Sequence, residues 1–165
     1  MIRSVSIRDA KEISDIYNYY VENDIATFDE SPVTVTYFEN KIVDVTKSFP
    51  WFVFEDEQGV VGYAHANFWN TRSAYSNSAE VSVYVKQGAI QKGIGTQLYT
   101  KLIDTLKESE FRVLIGGISL PNEASVRLHE RFGFEKVAHF KEVGYKFNKW
   151  VDVGYWQLTV NKSKK

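Results

Sequence analysis

Gly93 and Gly95 stand one residue apart, ahead of Thr96, between a segment of two-residue period and a segment of helical period. Glycines at such a junction allow a tight turn. A helix that starts there aims unpaired N–H groups and the positive end of its dipole at one spot. The chemistry is that of a phosphate cradle built from amides. Before the turn, residues 79–85 read AEVSVYV, apolar at odd positions and polar or amphipathic at even ones. That alternation marks a half-buried strand, and it sets Glu80 on a polar face with Ser82 and Tyr84. A glutamate there is either a solvated carboxylate or a proton acceptor. Arg72 lies in the polar stretch 69–77, WNTRSAYSN. Its planar guanidinium fits a carboxylate or phosphinate in bidentate fashion, or is simply solvated.

These groups need elements to hold them. Beyond the turn, Leu98, Tyr99, Leu102, Ile103 and Leu106 repeat at helical spacing and predict a helix with one apolar face. Upstream, residues 2–7 alternate weakly and predict an opening strand. Asp9 and Glu12 have the spacing of a helix capping box. Ile13, Ile16, Tyr17, Tyr20 and Val21 then form an apolar helical stripe. Thr34 is placed to cap a second helix that turns Phe38, Ile42, Val45 and Phe49 inward. Residues 51–55 and 60–68 read as two strands joined by a turn with Gly59. Residues 112–116 predict a short strand, residues 121–133 a helix carrying His129, and residues 135–146 and 152–160 a terminal hairpin. The order β-α-α-β-β-β-α-β-α-β-β implies one α/β domain over residues 1–165, a mixed sheet with helices on both faces.

The chain has 165 residues, 44% hydrophobic and 25% charged, with a formal net charge of −1, which suits a soluble globular domain without a nucleic-acid or membrane partner. The short basic tail, Lys162-Ser163-Lys164-Lys165, does not alter that. Absence of cysteine excludes disulfides, thiolate catalysis and Cys-bound zinc. His65 and His139 lack metal-ligand spacing, and no metal is expected. No apolar run approaches the ~18 residues of a membrane span, and the opening residues lack a signal-peptide core, so a cytoplasmic location is expected.

The glycines do not fit the common nucleotide motifs. A Walker loop requires a lysine that Gly93-Ile94-Gly95-Thr96 lacks, and a dinucleotide fingerprint requires a small residue where Leu98 stands. Residues Ile90-Gln91-Lys92-Gly93-Ile94-Gly95-Thr96 instead resemble the pyrophosphate loop of the GNAT family of N-acetyltransferases, which hold acetyl-coenzyme A. That loop reads Gln/Arg-x-x-Gly-x-Gly/Ala. Both glycines match, while the opening Gln/Arg falls on Ile90, with Gln91 as the nearest substitute. Within the family the chain is most similar to phosphinothricin N-acetyltransferases. The likeness runs through Pro50-Trp51, Ala74-Tyr75, Ala79-Glu80, Ser82-Val83-Tyr84-Val85, Leu98-Tyr99-Thr100, Leu120-Pro121-Asn122, His129-Glu130 and Asp152-Val153-Gly154-Tyr155-Trp156-Gln157.

The resemblance implies the GNAT fold, a mostly antiparallel six- to seven-stranded sheet whose central strands splay apart. It implies acetyl-coenzyme A as co-substrate, held by Val83, Tyr84, Val85, Gln91, Lys92, Gly93, Ile94, Gly95, Thr96, Asn122 and Ser125. It makes Glu80 the general base, a backbone N–H around Tyr84 or Val85 the donor to developing negative charge, and His129 a candidate acid for the departing thiolate. Arg72, Tyr75, Phe28 and Trp150 would then bind an amino-acid-like amine such as phosphinothricin or methionine sulfoximine, an activity that confers resistance to such compounds. A polyamine, a protein N-terminus, or a non-catalytic coenzyme-binding module are the alternatives. A homodimer is expected from the resemblance and the aromatic-rich C-terminal hairpin.

Overall fold

The computed structural model describes residues 1–89 and 93–162, and threads all its strands through one sheet. The elements are β1 (Ile2–Ser4), α1 (Ala10–Asn23), α2 (Val35–Val45), β2 (Trp51–Asp56), β3 (Gly59–Phe68), β4 (Ser78–Val85), α3 (Ile94–Lys107), β5 (Val113–Leu120), α4 (Glu123–Arg131), β6 (Glu135–Lys146) and β7 (Lys149–Thr159). Their order is the one that the periodicity predicts. The seven strands lie in the order β1-β2-β3-β4-β5-β7-β6. Only β4 and β5 run parallel; every other neighbouring pair is antiparallel.

Residues directly opposite in a ladder share a face. Glu80, Ser82 and Tyr84 therefore lie with Asn67, His65 and Tyr63 of β3. The first two helices cover this face. Tyr17 and Tyr20 of α1 each stand edge-on to Tyr84 with ring centroids 5.4 Å apart. Phe38 of α2 packs against Trp51 and Tyr63. On the other face, a Cβ added to Gly62 would come within 3.1 Å of the Ile94 and Leu98 side chains, so α3 sits almost directly on the strand. The predicted stripe of α3, Leu98, Tyr99, Leu102, Ile103 and Leu106, is buried without exception. Burying each such side chain contributes about 1.5–3 kcal/mol, which fixes the helix against the sheet. Among the described residues no helix is long and apolar enough to cross a membrane.

The N-terminal segment departs from expectation. β1 ends at Ser4, and the capping box is Ser6 with Asp9, not Asp9 with Glu12. The Asp9 carboxylate accepts from the Ser6 amide at 2.7 Å and from Arg3 at 2.8 and 2.9 Å, so it is not free to cap α1. Glu12 reaches the β2–β3 turn instead, where it accepts from the Val60 amide at 3.2 Å. A buried carboxylate goes to the donor that can neutralise it, and spacing along one helix does not reveal that donor. At the other end of the chain, β5 runs on from the expected Gly116 to Leu120 because β7 pairs with it throughout. β7 itself begins at Lys149, after a two-residue turn in which Phe147 and Asn148 both take positive φ. Ser163, Lys164 and Lys165 of the basic tail lie outside the described residues.

Candidate active site

β4 and β5 pair only from Ser78 opposite Val113 to Glu80 opposite Ile115. Beyond that point β4 stays with β3 as far as Val85, and β5 stays with β7 as far as Leu120. The two strands therefore splay, and the edge of β4 loses its sheet partner. Which amides are freed follows from the ladder. The Lys86 amide donates to the Val61 carbonyl at 2.8 Å, and such pairs recur at every second residue. Tyr84 and Ser82 thus spend their N–H groups on β3, whereas Val83 and Val85, beyond the last β4–β5 pair, turn theirs into the gap. The Tyr20 hydroxyl, which donates to the Val85 carbonyl at 2.5 Å, reaches the same outward edge. Tyr84 is therefore corrected as a backbone donor, and Val85 remains.

A cleft of about 690 Å³ fills the gap. Val83, Tyr84 and Val85 form one wall; Asn122, Ser125 and His129 form the other; Gly93, Gly95 and Thr96 close one end. At that end Gly93 has φ of 70°, a left-handed conformation in which a side chain is strained, and it caps α3. The first α-helical bond runs from the Gln97 amide to the Gly93 carbonyl at 3.1 Å. The amides of Ile94, Gly95 and Thr96 consequently have no helical acceptor. The Ile94 side chain is buried against Gly62 and does not line the cleft, which leaves only its backbone toward that end. Gln91 and Lys92, expected at the same loop, lie outside the described residues, as does Ile90. Arg127 and Arg131 also line the cleft. Sequence reasoning passed them over, because arginines on a short polar helix look solvated.

On the far wall the Asn122 side-chain oxygen caps α4 by accepting from the Ser125 amide at 3.1 Å. One turn on, His129 is buried beneath β5, close enough that a Cβ at Gly116 would lie 2.5 Å from its Nε2. Its Nδ1 lies 2.7 Å from the Ser125 carbonyl, which can only accept, so Nδ1 carries the proton. Nε2 is then the acceptor for the Tyr99 hydroxyl at 2.9 Å. Burial lowers the His129 pKa, partly offset by that carbonyl, so the ring is neutral at pH 7. Tyr99 belongs to the apolar stripe of α3, and nothing in the stripe marks its hydroxyl as a partner for α4.

Glu80 lies on the opposite face of the sheet from His129, at the point where the strands part. It is half-buried, and burial raises its pKa above 4.5, while the Lys41 ammonium pulls it back down. Tyr155 of β7 and Trp69, ring centroids 5.3 Å apart, stand on the same side, and burial, helped by the Glu80 charge, raises the Tyr155 pKa.

The expected acceptor residues are scattered. Arg72 is exposed at the head of a short 3-10 turn, Ser73–Tyr75, and Tyr75 is exposed in that same turn. Both belong to the β3–β4 connection, which enters β4 just ahead of Glu80. Phe28, on the connection after α1, rests on Gly144 of β6. Trp150 is not brought to Glu80. It sits beside the β6–β7 turn, 64% exposed, with its ring 4.8 Å from that of Tyr145. Among the described residues no cluster of His, Cys, Asp or Glu could hold a metal ion.

The comparisons with known proteins point the same way. The model of the acetyltransferase (GNAT) domain matches residues 2–154. A phosphinothricin N-acetyltransferase of Streptomyces viridochromogenes is 35% identical over 156 residues, covering 94% of this chain and 85% of that protein. An L-methionine sulfoximine/L-methionine sulfone acetyltransferase of Pseudomonas aeruginosa is 32% identical over 168 residues, covering 99% and 96%. A GNAT superfamily phosphinothricin acetyltransferase from Sinorhizobium meliloti, solved in complex with acetyl-coenzyme A, superimposes with a TM-score of 0.94 at 31% identity, covering 97% and 88% of the two chains.

Proposed function

Because this chain belongs to the acetyltransferase (GNAT) family, we propose that it transfers the acetyl group of acetyl-coenzyme A to the α-amino group of a small amino-acid-like acceptor. Phosphinothricin and the oxidised forms of methionine, the compounds named for its relatives, are the model acceptors. One observation carries the reading. The strands part at Glu80, a half-buried carboxylate, and the cleft that opens from the next residue, Val81, ends at a row of free helix amides.

Acetyl-coenzyme A fits the gap and supplies an activated thioester. The amides of Ile94, Gly95 and Thr96 would hold its pyrophosphate. The free edge of β4 at Val83 and Val85 would pair with the pantetheine arm, and Asn122 and Ser125 would flank it. The Val85 N–H, or its neighbour at Val83, is the donor available to negative charge growing on the carbonyl oxygen. Glu80 takes a proton from the acceptor nitrogen. Its burial brings a carboxylate nearer in basicity to the ammonium that it must deprotonate. His129 would need to become an imidazolium to act as the acid, which burial disfavours. In this reading it is a positioning residue that holds the Tyr99 hydroxyl, and the proton shed by the nitrogen balances the charge left on sulfur. Arg72 would bind the acceptor carboxylate, with Phe28 and Tyr75 beside it. We read the exposed rings of the β6–β7 hairpin, Trp150 included, as a face for self-association.

Glu80→Gln tests the core of this. Removing the base costs about 10²-fold or more in kcat. The acetyl-coenzyme A Kd, measured by calorimetry, should stay within about threefold, because the cradle is built from other residues. A variant with wild-type kcat would overturn the assignment of the base.

A further inference from the structure

One cation on the acceptor side has no part in the chemistry described so far. Lys41 of α2 is half-buried, and its Nζ stands 5.8 Å from the ring centroids of Tyr37 and Phe38 and 6.0 Å from that of Trp51. Among the described residues it makes no hydrogen bond or ion pair. Stripping water from an ammonium is costly, and contact with rings returns only about 0.5–2 kcal/mol each. A lysine at a helix surface normally avoids the cost by turning its head to water. Here the head stays among rings; burial lowers its pKa, and the nearby charges of Asp29 and Glu80 act against that fall.

Its surroundings are rich in unused polar atoms. The Trp51 Nε1 and both ring nitrogens of His65 are buried without a hydrogen-bond partner among the described residues. Trp51 is 2% exposed and His65 5%, and their ring centroids are 4.3 Å apart. Burial and the nearby Lys41 charge push the His65 pKa down to about 3, so its ring is neutral. Trp51 lies opposite His65, and His65 opposite Ser82, on the same sheet face as Glu80. An ammonium, an indole N–H and a neutral imidazole thus converge level with Ser82, beyond Glu80 along β4. Arg72 enters from the other direction, ahead of Ser78. The two cations bracket the base. An α-amino acid has the matching layout, its amine standing between a carboxylate on one side and a side chain on the other.

We propose that Lys41, with Trp51 and His65, forms a subsite that binds an oxyanion at the side-chain end of the acceptor, a phosphinate, phosphonate, sulfonate or carboxylate. The subsite rests on the reading of the protein as an amino-acid N-acetyltransferase. It makes Lys41 a specificity residue that favours anionic side chains over neutral ones of like size, while Arg72 serves the α-carboxylate.

The test compares phosphinothricin, whose side chain is anionic, with methionine sulfone, whose side chain is neutral. The ratio of their kcat/KM values is measured for wild type, Lys41→Met and Lys41→Arg, with thermal midpoints recorded alongside. The ratio should fall at least tenfold in Lys41→Met, chiefly through KM for phosphinothricin, and Lys41→Arg should recover most of it. Mere packing of the lysine stem on the rings would move the thermal midpoint and leave the ratio within twofold, which overturns the proposal. If Lys41→Met fails to fold, Lys41→Gln keeps a polar head without the charge, and the same two outcomes apply to it. A wild-type protein that acetylates neither compound would overturn the amino-acid reading and the subsite together, whereas an active wild type with an unmoved ratio removes the subsite alone.

Discussion

A carboxylate that serves as a base must be ionised, so the pKa of Glu80 sets the acid limit of the reaction. Burial raises it above 4.5, and Lys41 acts against that rise. The other groups that feel the Glu80 charge are phenols, Tyr84 on the same strand, Tyr99 on α3 and Tyr155 on β7, all pushed to higher pKa and neutral over the working range. The sign follows. Activity is complete above the folded pKa of Glu80 and falls as pH drops through it, so the acid limb of kcat/KM is expected above pH 4.5. Lys41→Met removes the charge that, among the described residues, holds the pKa down, and should move the limb upward. A limb that stays in place would mean that Lys41 and Glu80 do not share a field. Little of this is legible in the sequence. Glu80 can be found from strand alternation and the family likeness, but its basicity depends on a lysine 39 positions earlier. Lys41 does leave a trace, standing three and four residues after Phe38 and Tyr37, the spacing that stacks side chains on one helix face.

At the scale of elements, the strand, turn and helix around Gly93 are written plainly in the chain, because each has a period or a glycine that burial and backbone geometry impose. Contacts between elements have no such mark. β5 is the clearest case. Its apolar pattern reveals a strand, yet the reason for glycine at Gly116 is the His129 imidazole from α4 seated on it. A methyl group there would lie 2.5 Å from Nε2 and 2.7 Å from Cδ2, well inside contact distance. Gly116→Ala should therefore push the imidazole off the strand and break its bond to Tyr99, at a cost of about 1–3 kcal/mol. The thermal midpoint should drop by several degrees, and the acetyl-coenzyme A Kd should rise several-fold because Ser125 and Asn122 belong to the same wall. Unchanged values for both would show that α4 can shift without loss. The misplaced capping box has the same origin, for the partner of Asp9 is Arg3, which no helical spacing could indicate.

For the whole molecule, the question is where so many aromatic residues go. Aromatics make up 15% of the chain, and two of their groups contrast in where they sit. One group, with Tyr17, Phe38, Trp51, Tyr63 and Tyr84, fills the space between α1, α2 and the sheet. The other stays outside, on the terminal hairpin, where Phe140 is 51% exposed, Tyr145 52%, Phe147 49% and Trp150 64%. A sequence reading that assigns Trp150 to the acceptor wall cannot separate the two groups, since ring content alone does not say which face of a long hairpin is covered. Rings left in water on one edge of a sheet are costly unless something covers them, and a second copy carries the same rings to the same edge. At micromolar concentration, sedimentation equilibrium should give twice the chain mass of 19.0 kDa. Replacing Tyr145 and Trp150 together with serine removes the paired rings at the hairpin tip and should return the mass to 19.0 kDa with the helical circular dichroism intact. A wild-type protein that sediments as a single chain at that concentration would show that these rings serve no association between copies.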